Sequence, residues 1–156
     1  MDSLAARMGA ADGTVQTGLP RAVEVEPCVD RAQEVAALGA RLHAWRLAGV
    51  PASRTAVLSG RIGIARDLLA ATGEPDSALR VGELGLTDTA NVEALALVGC
   101  DHAFFAAPAD RFGTADSLNP REQARLVLRA CAAPRAHLLI TWRGRPERLF
   151  EGLAEA

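Results

Sequence analysis

The tetrapeptide Gly60-Arg61-Ile62-Gly63 sits between the apolar run Ala56-Val57-Leu58 and a helix-forming segment closed by Gly73. A strand, a glycine-containing turn and a helix in that order set the free N–H groups of the helix start at the carboxyl end of the strand, where α/β proteins bind phosphate. With Arg61 and Arg66 as cations, and Arg135 as a third, Gly60 and Gly63 define a weak nucleotide- or phosphate-binding candidate; a plain tight turn explains the same GxxG. Asp101-His102 has the composition of an acid–base pair, but adjacent residues on extended chain point apart. No serine or cysteine nucleophile stands beside them and the chain has no GxSxG elbow, so no catalytic residue is assigned. The loop Thr87-Asp88-Thr89-Ala90-Asn91 lies between two apolar runs, Leu79–Leu84 and Ala94–Gly99, and its one ionisable group is Asp88.

All seventeen basic residues are arginine. Without a lysine, the chain acting alone has neither a Walker-type phosphate loop nor a Schiff base. The net charge is −2, yet residues 121–148 hold seven arginines against Glu122 and Glu147. Arg121, Arg125 and Arg129 recur every fourth residue, and Arg143, Arg145 and Arg148 follow. Such a stripe predicts weak, salt-sensitive, non-specific contact with single-stranded DNA. Trp142 is the one aromatic residue interleaved with these arginines, so the base stacking that supports tight single-strand binding is scarce.

The elements that position these residues alternate strand and helix. Val23 and Val25 alternate with Glu24 and Glu26 as in a strand. Asp30 opens a helix with Gln33 three residues on, a capping box, and Val35, Leu38, Leu42 and Trp45 supply its apolar face before Gly49-Val50-Pro51 ends it. Residues 55–73 read as strand, turn and helix; Leu79–Leu84 and Glu93–Val98 read as two more strands. Asn119 caps a further helix whose apolar stripe is Ala124, Val127, Leu128 and Cys131, and "HLLITW" is the last strand. The expected architecture is α/β: an open, mostly parallel sheet of about five strands with helices on both faces. Residues 1–20 read as a flexible leader and 21–156 as one domain. Cys28, Cys100 and Cys131, odd in number and far apart, read as buried free thiols, with no metal site. No apolar run approaches the ~18 residues a membrane span needs, and the expected location is cytoplasmic.

Three segments carry a family resemblance. "VGELGLTDTANVEALALVG" resembles the V-x-T-x-H-x-A-K-G-L-E-F segment, with its following strand ending in V-G, of the second RecA-like lobe of UvrD-type superfamily 1 DNA helicases. Val81, Val92, Leu95, Leu97, Val98 and Gly99 fall in register. The family's threonine, histidine and A-K-G are here Glu83, Gly85 and Thr87-Asp88-Thr89, and Asn91 stands for its glutamate. "REQARLVLRACAAPRAHLLIT" is similar to the family's E-x-x-R-L-x-Y-V-A-x-T-R-A-R-x-x-L-x-L. Arg125, Leu126, Ala130, Arg135, Leu138 and Ile140 are in step, but Ala132-Ala133 replaces T-R, so the arginine finger is absent. "AVLSGRIGIARDL" resembles A-V-L-x-R-T-N-x-Q-S-R, with Gly60 in place of the first arginine and Arg66 matching the last. The resemblance covers roughly residues 22–150. It implies a degenerate RecA-like helicase C-terminal domain without its Walker A lobe. From it follows a non-catalytic interaction module that docks on a protein partner or a first helicase lobe. Such a chain requires no cofactor, and ATP enters only with a partner lobe. The competing implication is the nucleotide- or phosphate-binding C-terminal part of a split or multi-chain helicase.

Overall fold

The computed structural model describes residues 22–74, 78–101, 120–146 and 150. Five strands, β1 (Ala22–Cys28), β2 (Thr55–Ser59), β3 (Arg80–Glu83), β4 (Ala94–Leu97) and β5 (His137–Arg143), form one sheet in the order β1-β5-β4-β2-β3. Every pairing is parallel, so the expected mostly parallel sheet is wholly parallel among the described residues. The two runs read as strands Leu79–Leu84 and Glu93–Val98 are each shorter by one residue at both ends. Ladder-like bonds still continue past them: Leu84 N–H donates to the Ser59 carbonyl at 2.8 Å and Val98 N–H to the Leu58 carbonyl at 2.9 Å.

The strand sequences explain their positions. β2 and β4 are buried at every residue and β5 at its five central ones, as strands covered on both faces must be. β1 alternates valine with glutamate, is half-buried along most of its length, and takes an edge. Alternation along each strand then divides two cores. Val57, Ala94, Ala96, Val98 and Leu139 meet Leu38, Leu42 and Trp45 of helix α1 (Arg31–Leu47) and Ala65 and Leu68 of helix α2 (Ile62–Ala71). Ala56, Leu58, Leu95, Leu97, Leu138 and Ile140 meet Val127, Ala130 and Cys131 of helix α3 (Pro120–Ala132) on the opposite face. Helices therefore cover both faces.

Local signals behave as their chemistry demands. The Asp30 carboxylate caps α1 by accepting the Gln33 N–H at 2.9 Å, and the Gln33 side chain accepts from Val29 rather than from the cap residue itself. Gly49 and Gly73 end α1 and α2 with φ of +91° and +76°. Trp45 is a core residue, 3% exposed, and stacks on His137 with ring centroids 6.0 Å apart. The cap at Asn119, the leader, His102 and Arg148 lie outside the described residues.

The loop at 84–92 is shaped by its own contacts. A Cβ on Gly82 would fall 1.6 Å from Thr87 Oγ1, so the loop folds onto a strand position that only glycine can occupy. Thr87 Oγ1 donates to the Glu83 carbonyl, the Asp88 carboxylate accepts the Ala90 N–H at 2.9 Å, and Arg80 donates to the carbonyls of Asp88 and Ala90. Asn91 takes the left-handed conformation at φ 61°, which asparagine tolerates better than most residues. Gly82→Ala is expected to lower stability by about 1–3 kcal/mol through this overlap, measured by denaturant unfolding. Thr87→Gly in the same chain should restore most of the loss. Unchanged stability of G82A would mean that the loop does not pack on the strand.

Candidate functional site

In a parallel sheet the carboxyl ends of the strands face one way, and ligands bind where successive connections diverge. Here the chain leaves β2 towards β3 and leaves the adjacent β4 in the opposite direction, towards β5. The crevice beyond Ser59 and Val98 is therefore the position at which this fold would hold a ligand.

Beside that crevice, at the ends of β4 and β5, described side chains and backbone bond to one another. Glu34, in the first turn of α1, is fully buried. One of its carboxylate oxygens accepts the Gly99 N–H at 2.9 Å and the Thr141 hydroxyl at 2.6 Å, and the other accepts Arg143 Nε at 2.9 Å. These donors come from the end of β4 and the end of β5, so one side chain joins α1 to the two central strands. Gly99 has φ +66°, and a Cβ there would lie 2.7 Å from Ile64 Cγ2 of α2 and 3.3 Å from Ser59 Oγ. Ile64 and Ser59 thus pack close against the Gly99 backbone, where only glycine fits. Beside it, Arg31 of α1 grips Asp67 of α2 through two bonds of 2.9 and 3.0 Å. The Asp67 carboxyl is held below its ordinary range, first by that hydrogen bond and also by the guanidinium charge. Both side chains are exposed, and the pair adds little stability.

The candidate phosphate residues do not converge. Gly60 is buried in the turn after β2, Arg61 is half-buried at the N-cap of α2, Gly63 is exposed in the first turn of that helix, and Arg66 is exposed one turn on. Arg135 precedes β5, and its N–H donates to the Val92 carbonyl just before β4. It therefore lies at the amino end of the sheet, while Gly60 and Arg61 lie at the carboxyl end. The five residues of β2 separate the two levels by roughly 16 Å at ~3.3 Å per residue. The structure brings Arg61 and Arg66 together on one helix and leaves Arg135 at the opposite edge.

The basic stripe is also divided. Arg121, Arg125 and Arg129 are all exposed on α3, and Arg145 is exposed after β5. Arg143 is committed to the buried carboxylate of Glu34, and its side chain is 32% exposed. The sequence reading missed Glu34, although the signal was there. It precedes Leu38 and Leu42 by four and eight residues, on the very stripe of α1 that faces the sheet, so a carboxylate at that position has to find donors inside the protein.

Cys28, Cys100 and Cys131 are free thiols and all three are buried. Burial, aided by the charges of Glu34, Glu26 and Asp30, pushes Cys28 up to about 11, and burial alone pushes Cys131 up to about 12. Burial, together with the nearby Cys131 and Glu34, drives Cys100 well above its ordinary value. At pH 8 about one Cys28 in a thousand is a thiolate, so the native protein should be nearly inert to iodoacetamide, with three thiols appearing in denaturant. The unfolded chain loses these protons near pH 9 while the folded one keeps them, so the unfolded state binds fewer protons. Stability should therefore fall as pH rises from about 9 towards 11. Rapid native alkylation, or a flat alkaline stability profile, would contradict the burial of these thiols.

No family model matches the chain, and no curated protein matches it. Among solved structures, it is similar to the C-terminal domain of a possible DNA helicase from Lactobacillus plantarum WCFS1, with a TM-score of 0.61 and 12% identity over 95% of this chain and 88% of that one. At that identity the likeness is one of fold alone: the five-stranded α/β sheet of this chain is similar in fold to that domain.

Proposed function

We propose that the chain is a non-catalytic interaction module derived from the C-terminal lobe of a UvrD-type DNA helicase, one that docks on a protein partner or on a first helicase lobe. The fold likeness supports the helicase ancestry. The in-register residues Val81, Val92, Leu95, Leu97, Arg125 and Arg135 support its UvrD-type origin, and the replaced side chains at Glu83, Gly85, Asp88 and Ala133 support its loss of chemistry.

The observation that carries the reading is the buried Glu34 carboxylate. It takes up the Gly99 N–H, the Thr141 hydroxyl and the Arg143 guanidinium, the donors that the carboxyl edge of the sheet would otherwise offer to a phosphate. A nucleotide phosphate placed there would meet a fixed negative charge in a site shielded from water, where repulsion is strong. The residues of this edge do not fit a nucleoside triphosphate.

A second reading, a nucleotide- or phosphate-binding part of a split helicase, draws on one observation. The amino end of α2 lies at the same edge of the sheet, with Arg61 at its cap and Arg66 on its second turn. Two measurements separate the readings. Purified chain, with or without single-stranded DNA, should hydrolyse no ATP above about 0.1 per second, a slow rate for an enzyme. Its melting temperature should be unmoved by millimolar ATP, ADP or sulfate. A ligand present at 100 times its Kd would stabilise the fold by ~2.7 kcal/mol. A clear shift would favour the phosphate-binding reading, and stimulated turnover would overturn both non-catalytic accounts.

A further inference from the structure

The exposed face of α3 and the loop at 84–89 form a surface that the carboxyl-edge crevice does not include. Between them lies a pocket of about 110 Å³. Leu58, Leu84, Leu126 and Ala130 supply its apolar surface, Thr87 stands on the loop side, and Arg129 stands on the helix side. Leu58 and Leu84 are buried core residues, so the pocket opens directly onto the α3-side core. Gly85 takes φ +87°, and a Cβ there would come within 3.3 Å of both Leu126 methyl groups. The loop therefore approaches the helix through a glycine backbone, which fixes the width of the opening. Leu86, next along the loop, is 68% exposed, an apolar side chain beside an apolar opening.

Arg121, Arg125 and Arg129 follow one another along α3 at four-residue spacing, all exposed. At 1.5 Å per residue the row is about 12 Å long and ends at the pocket. Among the described residues, two acidic groups stand near this surface. Glu122 stands beside the first arginine, and the Asp88 carboxylate of the loop is turned to the Ala90 N–H.

We infer that this surface docks an acidic protein segment bearing one aliphatic anchor: the anchor enters the pocket and carboxylates spaced along the segment pair with Arg121, Arg125 and Arg129. Two features select a peptide over a nucleic acid. Among the described residues the socket is aliphatic and presents no aromatic side chain on which a base could stack. An apolar hole at one end of a short cationic row matches a chain that carries both a hydrophobic side chain and spaced charges, in the manner of helix-in-groove and acidic-motif recognition. The inference rests on the interaction-module reading and gives that module's partner a chemistry.

The probe is a fluorescein-labelled peptide in an alanine–glutamine background, with three glutamates at four-residue spacing followed by one leucine. A leucine-to-serine version and a labelled oligothymidylate of similar length serve as comparisons. Anisotropy titration of the full chain should show the leucine peptide binding at least about tenfold more tightly than the serine peptide, and more tightly than the oligonucleotide. Arg125→Glu with Arg129→Glu should weaken it by about tenfold or more. Thr89→Phe, which leaves the arginines in place and fills the pocket from its rim, should remove the leucine preference alone. Circular dichroism of each variant confirms that it is folded. Equal binding of the two peptides, no response to T89F, or tighter binding of the oligonucleotide would overturn the inference. Those outcomes leave the ATP and melting measurements untouched, so the docking surface can fail while the non-catalytic module stands, and the reverse holds equally.

Discussion

A carboxylate with no access to water has to be matched by donors from the fold itself, and Glu34 takes three of them from two strands. The bonds are charge-assisted and short, and removing any partner would leave a buried charge or a buried N–H unmet. Several features of the sheet follow from this one arrangement. α1 must present its first turn to the ends of β4 and β5. Residue 99 must be glycine in a left-handed conformation, because the chain turns there under Ile64 while it aims its N–H at the carboxylate. Thr141 and Arg143 must alternate with Ile140 and Trp142, so that the polar pair faces α1 and the apolar pair faces α3.

The same arrangement explains how the arginines are apportioned. A chain with seventeen arginines and no lysine has many planar, permanently charged groups to place. Arg143 is drawn inward by Glu34, Arg31 joins α1 to α2 through Asp67, and Arg54 pairs with Glu93 at the amino end of the sheet. Arg80 holds the loop backbone. The row on α3 is left facing solvent, away from the crevice where the fold would be expected to act. Charge in this protein serves joints between elements at both ends of the sheet, the loop after β3, and the exposed face of α3.

Much of the architecture was legible because it rests on short-range rules. The Asp30 cap, the glycine stops at Gly49 and Gly73, the fully apolar β2 and β4, and the alternation of β1 each encode their own element. The strand order was not legible, since β1 and β5 pair across more than a hundred residues and no local signal marks the partner. The site was harder still. Arg143 read as one more cation in a basic run, and its partner Glu34 lies 109 residues away. Arg135 and Arg66 matched positions of the helicase motifs, yet motif alignment says nothing about which end of a parallel strand each residue lies nearest. Gly85, read as the loss of a functional histidine, has a packing reason of its own in Leu126, as Gly82 has in Thr87.

Where the carboxyl ends of β4 and β5 are bonded to a side chain of α1, that part of the edge is completed by the protein's own groups. The central claim is that Glu34 holds this edge closed. Guanidinium unfolding of Glu34→Ala against the unaltered chain tests it most directly. The account predicts a loss of about 3–5 kcal/mol, the cost of leaving Arg143 and two further donors without their acceptor. Glu34→Ala combined with Arg143→Met should lose less than the sum of the two single changes, because the two residues act as one unit. A Glu34→Ala protein within about 0.5 kcal/mol of the unaltered chain, the range of ordinary surface substitutions, would contradict the account.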